Sequence, residues 1–475
     1  MTTRILNSCG AVRALDPRGR TLGVVLVIAL GLAACGTDII QAGAPPQEPA
    51  AVVEGEPPAE TETTPAEDGG IDAAKDSGKG AAPPAKDPPK DAGPDALLAL
   101  TPLACVVPGL PIPACPNGVA PNFASQALAP IAARGTRLRV DNGGFYQASW
   151  HNSKGVSYLT NRSGAFVVES VTGLVGLPNE AITLTRLAVD DCGTPTVLYL
   201  RSHLPAMSNK YDFRLFLATR KVGGWVHEPI EVPTSDDDAS PATDYSSADL
   251  VLDDAGSPIV VLTRYSDSRF AILRRSGATF TAETLSIGGS RSFLPAAVWS
   301  NTLGLSLVYA DGSASRPAVA WKLGSSWTES ILSSEGPVDS FSAGDPSIAA
   351  AAGADGTVHV AYRIYPDSAG RRLRYASIAA PNAWTTPRPL PLSNGYMPEG
   401  ITVLLAGTGK PRVTFNQFNG SQSVAHVSRL TDGVVLPAVV VGVSLDSGSA
   451  IDSSGREHVL TTGTVTKLYT QSCLP

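Results

Sequence analysis

Three arginines close strand-like runs at similar distances beyond a glycine: Arg201, Arg264 and Arg363 lie 8, 8 and 7 residues after Gly193, Gly256 and Gly356. Converging guanidinium groups suit a carboxylate, because each offers a rigid, bidentate fork of donors. Side chains alternate faces along a strand, so the one-residue offset turns Arg363 away from the other two unless a bulge compensates. His151 and His203 sit in loops expected on the same face and have the chemistry of acid–base groups. Tyr245 follows Asp244 and the triplet Asp236-Asp237-Asp238. The triplet could hold Ca²⁺, but it lacks the alternating spacing of an EF-hand loop and reads as a solvated acidic loop. The candidate ligand-binding residues are therefore Arg201, Arg264, Arg363, His151 and Tyr245.

Nothing in the pattern favours turnover. The six histidines show no metal-ligand spacing, and His359 and His458 occupy matching places that suit a structural role. The chain has no Gly-x-Ser-x-Gly elbow, phosphate loop or His-Glu-x-x-His motif. No catalytic residue, cofactor or metal is expected, and non-catalytic binding of a protein or glycan by the loops of one face is the leading expectation. A glycan-acting hydrolase or lyase and a structural envelope component are the alternatives.

The elements that must position these residues form a repeat. Turn glycines align at Gly143, Gly193, Gly256, Gly304, Gly356, Gly409 and Gly455, with gaps of 46 to 63 residues, the room needed for four short strands and their loops. The clearest copy reads Asp355-Gly356-Thr357-Val358-His359-Val360-Ala361-Tyr362, then Leu373-Arg374-Tyr375-Ala376, then Asn382-Ala383-Trp384. The runs after the turns, such as Pro258-Ile259-Val260-Val261-Leu262-Thr263, are β-branched and nearly continuous in apolar character, as strands packed on both faces should be. A third run opens on an aromatic (Phe166, Trp225, Phe280, Trp327, Trp384), with an acid shortly after in four copies (Glu169, Glu228, Glu283, Glu329). One such unit cannot bury its apolar face alone; arrayed radially, four-stranded antiparallel units form a β-propeller. The expected fold is all-β, with seven blades over residues 99–475.

Copy seven stops at Pro475 without an outer strand. The segment 122–129 matches the aromatic, Gln/Glu and aliphatic spacing of Ala165 to Val171, so it is expected to supply that strand and close the ring.

The rest of the chain is an address and a tether. Arginines up to Arg20 precede an apolar run, Leu22 to Gly31, of signal-peptide length. Residues 36–98 carry 13 acidic residues and four lysines, are rich in Pro and Ala and have no aromatic, too little apolar surface to offset ordering entropy. Of the net charge of −7, almost none falls beyond residue 98, and no basic stripe offers a nucleic-acid surface. The expected segments are a signal peptide at 1–34, a tether at 35–98 and a monomeric propeller.

Leu32-Ala33-Ala34-Cys35-Gly36 resembles the lipobox of bacterial lipoproteins. That resemblance implies cleavage before Cys35, its acylation, and a domain held at the cell envelope, at the outer more than the inner membrane, in the periplasm or on the surface. An exported chain then has Cys105, Cys115, Cys192 and Cys473 for two disulfides, with three possible pairings. Ring closure favours Cys115–Cys473 with Cys105–Cys192 over Cys105–Cys115 with Cys192–Cys473. The turn, His-Val-Ala-Tyr, Leu-x-Tyr-Ala and Gly-x-Trp pattern resembles sialidase-like (BNR-type) propeller lipoproteins, as among the exported proteins of myxobacteria. True sialidase boxes, Ser-x-Asp-x-Gly-x-x-Trp, differ from Asp254-Ala255-Gly256 and Asp452-Ser453-Ser454-Gly455, which lack the closing tryptophan.

Overall fold

The repeat is built on its turns. Asp141, Asp253 and Asp452 each accept two backbone N–H groups at Oδ1, at 2.8 to 3.0 Å, which folds the chain back between the first and second strands. The fourth residue of these turns is in the left-handed region that glycine reaches without strain: Gly144 at φ +78° and Gly455 at φ +80°. In the first copy this residue is Gly144, one beyond the expected Gly143.

A computed structural model describes residues 5–6, 12–13 and 122–472, the last span interrupted at 129–132, 153–154, 175–178, 204–211, 231–244, 265–269, 278, 286, 288–292, 312–314, 324–325, 339–346, 368–369, 393–397, 407–408, 419–422, 432–433, 436–437, 445 and 464. The chain divides into two units, 1–85 and 86–475. In the first, Ile5–Leu6 pairs antiparallel with Val12–Arg13. Cys35, Cys105, Cys115, Cys473, Asp236 to Asp238 and the tether lie outside the described residues.

The second unit is a seven-bladed β-propeller of antiparallel sheets, as expected. Blade one runs from its inner strand Arg134–Val140 through Tyr146–Asn152 and Gly155–Thr160 to the outer Val167–Gly173. The inner strands of blades two to seven are Ala181–Val189, Tyr245–Leu252, Phe293–Ser300, Ile348–Ala352, Pro398–Leu405 and Asp446–Ile451. Blade six, which lacks the aromatic, fills its outer position with two short pieces, Val434–Val435 and Val439–Val443, both paired to Ser423–Thr431.

The ring closes as the spacing of Phe123, Gln126 and Leu128 suggests. Asn122–Leu128 pairs antiparallel with Thr466–Ser472, from Asn122 opposite Ser472 to Leu128 opposite Thr466, and becomes the fourth strand of blade seven.

Seven apolar clusters fill the seven gaps between blades. Because side chains alternate along a strand, each second strand serves two gaps. In blade two, Val197 and Tyr199 pack toward blade one, while Leu198 and Leu200 pack toward blade three. Three of the four acids after the outer-strand aromatics reach the next blade: Glu169 accepts from Arg220 Nε (2.8 Å) and Trp225 Nε1 (3.3 Å), Glu283 from Lys322 Nζ (2.7 Å) and Trp327 Nε1 (2.9 Å), and Glu228 pairs with Arg275, whereas Glu329 accepts from Tyr309 Oη of its own blade.

Candidate functional site

Two of the three arginines, Arg201 and Arg363, have partners within the chain. Arg201 Nε lies 3.2 Å from Glu180 Oε1, its Nη2 donates to Thr172 and Gly173 of blade one, and its guanidinium covers the Phe216 ring. Arg363 is fully buried, donating to the Pro398 carbonyl at 2.8 Å and to Ser347 Oγ at 3.0 Å, where it fastens blade five to blade six. Tyr245 and Arg264 face each other in register across blade three; their side chains lie outside the described residues. His203 ends the second strand of blade two. His151 is buried, with Nδ1 3.1 Å from Thr185 Oγ1; burial first, then the charges of Arg186, Arg134 and Arg137, push its pKa down to about 4. Cys192, in the first-to-second-strand turn of blade two, is disulfide-bonded to a partner outside the described residues, so neither pairing is selected.

The histidines at matching places are held within the blades. His359 Nδ1 lies 2.6 Å from Tyr375 Oη. His458 sits between Asp452 Oδ2 (3.0 Å) and Tyr146 Oη (3.2 Å), at the seam of blades seven and one.

A different constellation lines the central channel. A cavity of about 360 Å³ lies between the C-terminal halves of the inner strands, the half nearer the first-to-second-strand turns. That is the end opposite the face expected from the loops between blades.

Its wall follows from register. In every blade one inner-strand residue pairs with the residue twelve positions on, in the second strand: Arg137 with Ser149, Arg186 with Leu198, Asp249 with Val261, Ala296 with Val308, Ala349 with Ala361, Thr402 with Thr414 and Gly448 with Leu460. Six of these equivalent positions line the cavity as a belt, charged in blades one to three and small or uncharged in blades four to six, while Gly448 packs against the backbone of blade one at Arg137 and Leu138. Arg139, two residues beyond Arg137 on the same face of its strand, adds a second guanidinium from blade one. Leu138 between them turns into the core at 1% exposure.

Among the described residues, Asp249 is the one carboxylate lining the cavity, against Arg137, Arg139 and Arg186. It lies 3.3 Å from Arg186 Nε and also accepts from the backbone N–H of Ala297 (2.8 Å) and Leu250 (3.0 Å). Arg137 and Arg139 each donate one Nη1–H to the carbonyl of the preceding residue. Desolvation, then the like charge of Arg137, lowers the Arg139 pKa, and the attraction of Asp249 does not restore it. Positive charge therefore exceeds negative charge in the cavity. The signal for these residues lay in the inner strands, where Arg137, Arg186 and Asp249 each stand four places before the turn aspartate of their blade.

No family model and no curated relative matches the chain. Solved structures with a similar layout include the NanB sialidase from Streptococcus pneumoniae, at 12% identity and a TM-score of 0.37, covering 72% of this chain and 68% of that one. The polysaccharide lyase Uly1 is similar at 11% identity and a TM-score of 0.42, covering 75% and 93%. A Dyadobacter fermentans protein of unknown function is similar at 10% identity and a TM-score of 0.44, covering 73% and 98%. At these identities the likeness is one of fold alone, and the chain spans about two thirds of the sialidase it matches.

Proposed function

We propose that this chain is a non-catalytic binding propeller, held at the cell envelope by acylation of Cys35, whose central cavity receives an acidic group of a protein or glycan ligand. The observation that carries this reading is the one-sided belt, with Arg137, Arg139 and Arg186 outnumbering Asp249 on a common wall. Guanidinium groups inside a partly desolvated channel attract an anion more strongly than they would on an open surface. The neighbouring groups are poorly placed for turnover. Asp249 is engaged by Arg186 and two backbone donors, and His151 is buried against Thr185 with a depressed pKa.

The test compares the wild type with the Arg137→Gln/Arg139→Gln double variant on acidic and neutral glycans and on envelope extract. Capture of acidic ligands by the wild type and its loss in the variant supports the reading. Equal capture by both would remove the cavity from it, and release of shortened glycan products would overturn the non-catalytic part. Anchoring is tested separately: Cys35→Ala should move the protein out of the membrane fraction.

A further inference from the structure

We infer that the acidic group is a carboxylate carried on an apolar body, so that the ligand lies across the channel with its charge on blades one to three and its apolar part on blades four to seven. This rests on the anion-binding reading and narrows it. The side chains that the far wall shows to the channel are Ala350, Leu404 and Ile451, with Thr402 as the polar one among them, while Ala296, Val298 and Ile348 back them from the core between blades four and five. The space itself comes from small residues. Blade five contributes Ala349 to Ala352 in succession, and at the belt positions blades four and five carry Ala296 and Ala349.

Trp299 adds an aromatic surface to the wall. Its Nε1 donates to Asp254 Oδ1 at 2.8 Å, in the turn of blade three, so the one polar atom of the indole is already engaged. A sugar acid would set a ring of hydroxyls against these side chains, with the free backbone edges of the inner strands as their partners on this wall besides Thr402, whereas an aryl or branched aliphatic body loses only its own apolar hydration there. The volume of about 360 Å³ falls in the range of small-ligand sites. Free organic acids and the apolar C-terminal residue of a protein share this chemistry.

The experiment uses the purified full chain, followed by thermal shift and by calorimetric titration. Phenylacetate represents the free acid, N-acetyl-phenylalanine the chain end, glucuronate the sugar acid, and N-acetyl-phenylalanine amide the uncharged control. We expect phenylacetate or N-acetyl-phenylalanine to bind at least tenfold more tightly than glucuronate and the amide, and the tighter of the two identifies the source. Glucuronate binding as well as either would overturn the apolar body while leaving the anion reading standing. No binding by any of the acids would overturn both.

Arg139→Gln and Arg137→Gln guard against a merely structural explanation. Arg139→Gln removes one of two clustered like charges, so that ligand-free variant should melt at or above the wild-type temperature, and in both variants the ligand-induced shift should be lost. A folded Arg139→Gln variant, or a folded Arg137→Gln/Arg139→Gln double variant, that keeps the full phenylacetate shift would sink the proposal.

Discussion

The backbone N–H of Thr136 donates to Asp446 Oδ2 at 2.7 Å, joining residues 310 positions apart across the seam between blades one and seven. Asp446 is buried enough that desolvation pushes its pKa up, against the N–H groups of Thr136 and Ser447 and the charge of Arg137. The closing strand supplies a further tie between the ends of the domain. Removing residues 1–98 should leave the melting temperature unchanged. Removing residues 1–129 should lower it sharply and add concentration-dependent association, because the third strand of blade seven becomes an open edge. Calorimetry and light scattering on the two truncations check this; equal melting temperatures would mean that the closing strand contributes nothing.

Arg363 predicts a separation of stability from binding. Arg363→Met removes the donors to the Pro398 carbonyl and Ser347 Oγ inside the blade five–six junction. The expected cost is on the order of 3 kcal/mol, since buried acceptors lose charged donors. Urea denaturation measures it, and carboxylate binding at the belt should be unchanged in the folded fraction.

Asp249 predicts opposite signs for the two properties. Asp249→Asn weakens its links to Arg186, Ala297 and Leu250, and should destabilise the chain by about 1–3 kcal/mol. The same change removes the carboxylate that competes for the arginines, so affinity for phenylacetate should rise. Loss of both stability and affinity would show that Asp249 positions the arginines more than it neutralises them.

Acid sensitivity has a defined window. His151 is depressed to about 4 from an unfolded value near 6.5, so below about 6.5 the unfolded chain takes up a proton that the native state refuses. Stability is therefore lost as pH falls from about 6.5 to 4, by at most about 1.4 kcal/mol per pH unit for this group. His227, His359 and His426, also lowered by burial, act in the same direction. Asp452 extends the trend. Burial raises its pKa, but bonds from His458, Ser454 and Arg456 outweigh that and bring it to about 2, so its contribution disappears as pH falls from about 4 to 2. Melting curves from pH 7 to 3 should show this slope, and His151→Gln should flatten its upper part. An unchanged slope in that variant would mean that His151 titrates normally.

The fold was legible because its cause is local. The Asp-x-x-Gly turns, the apolar second strands and the Phe123-to-Gln126 spacing each announce a strand or its end. Even the acids after the aromatics were visible, although their partners were not: Glu169 serves Trp225 of the next blade, and spacing within one copy cannot show that. The site was harder to see for the same reason. Arg201 and Arg363 occupy comparable places in sequence, yet one meets Glu180 and the other is enclosed by Pro398 and Ser347. Arg137, Arg186 and Asp249 become neighbours only when seven inner strands surround one axis, and an alignment on second-strand glycines draws attention away from them.

The closing strand also determines how the ring responds to force. A pull applied to the chain just before Asn122 acts first on the pair Asn122–Ser472, then on Phe123–Gln471, and so on to Leu128–Thr466. Antiparallel pairs loaded from one end come apart one after another, as a zipper does, while strands sheared along their length resist together. A propeller held by its N-terminal side while its ligand is pulled away would therefore yield first at the outer edge of blade seven, while the inner strand Asp446–Ile451 keeps its place in the channel wall and the load passes on to the inner strand of blade one.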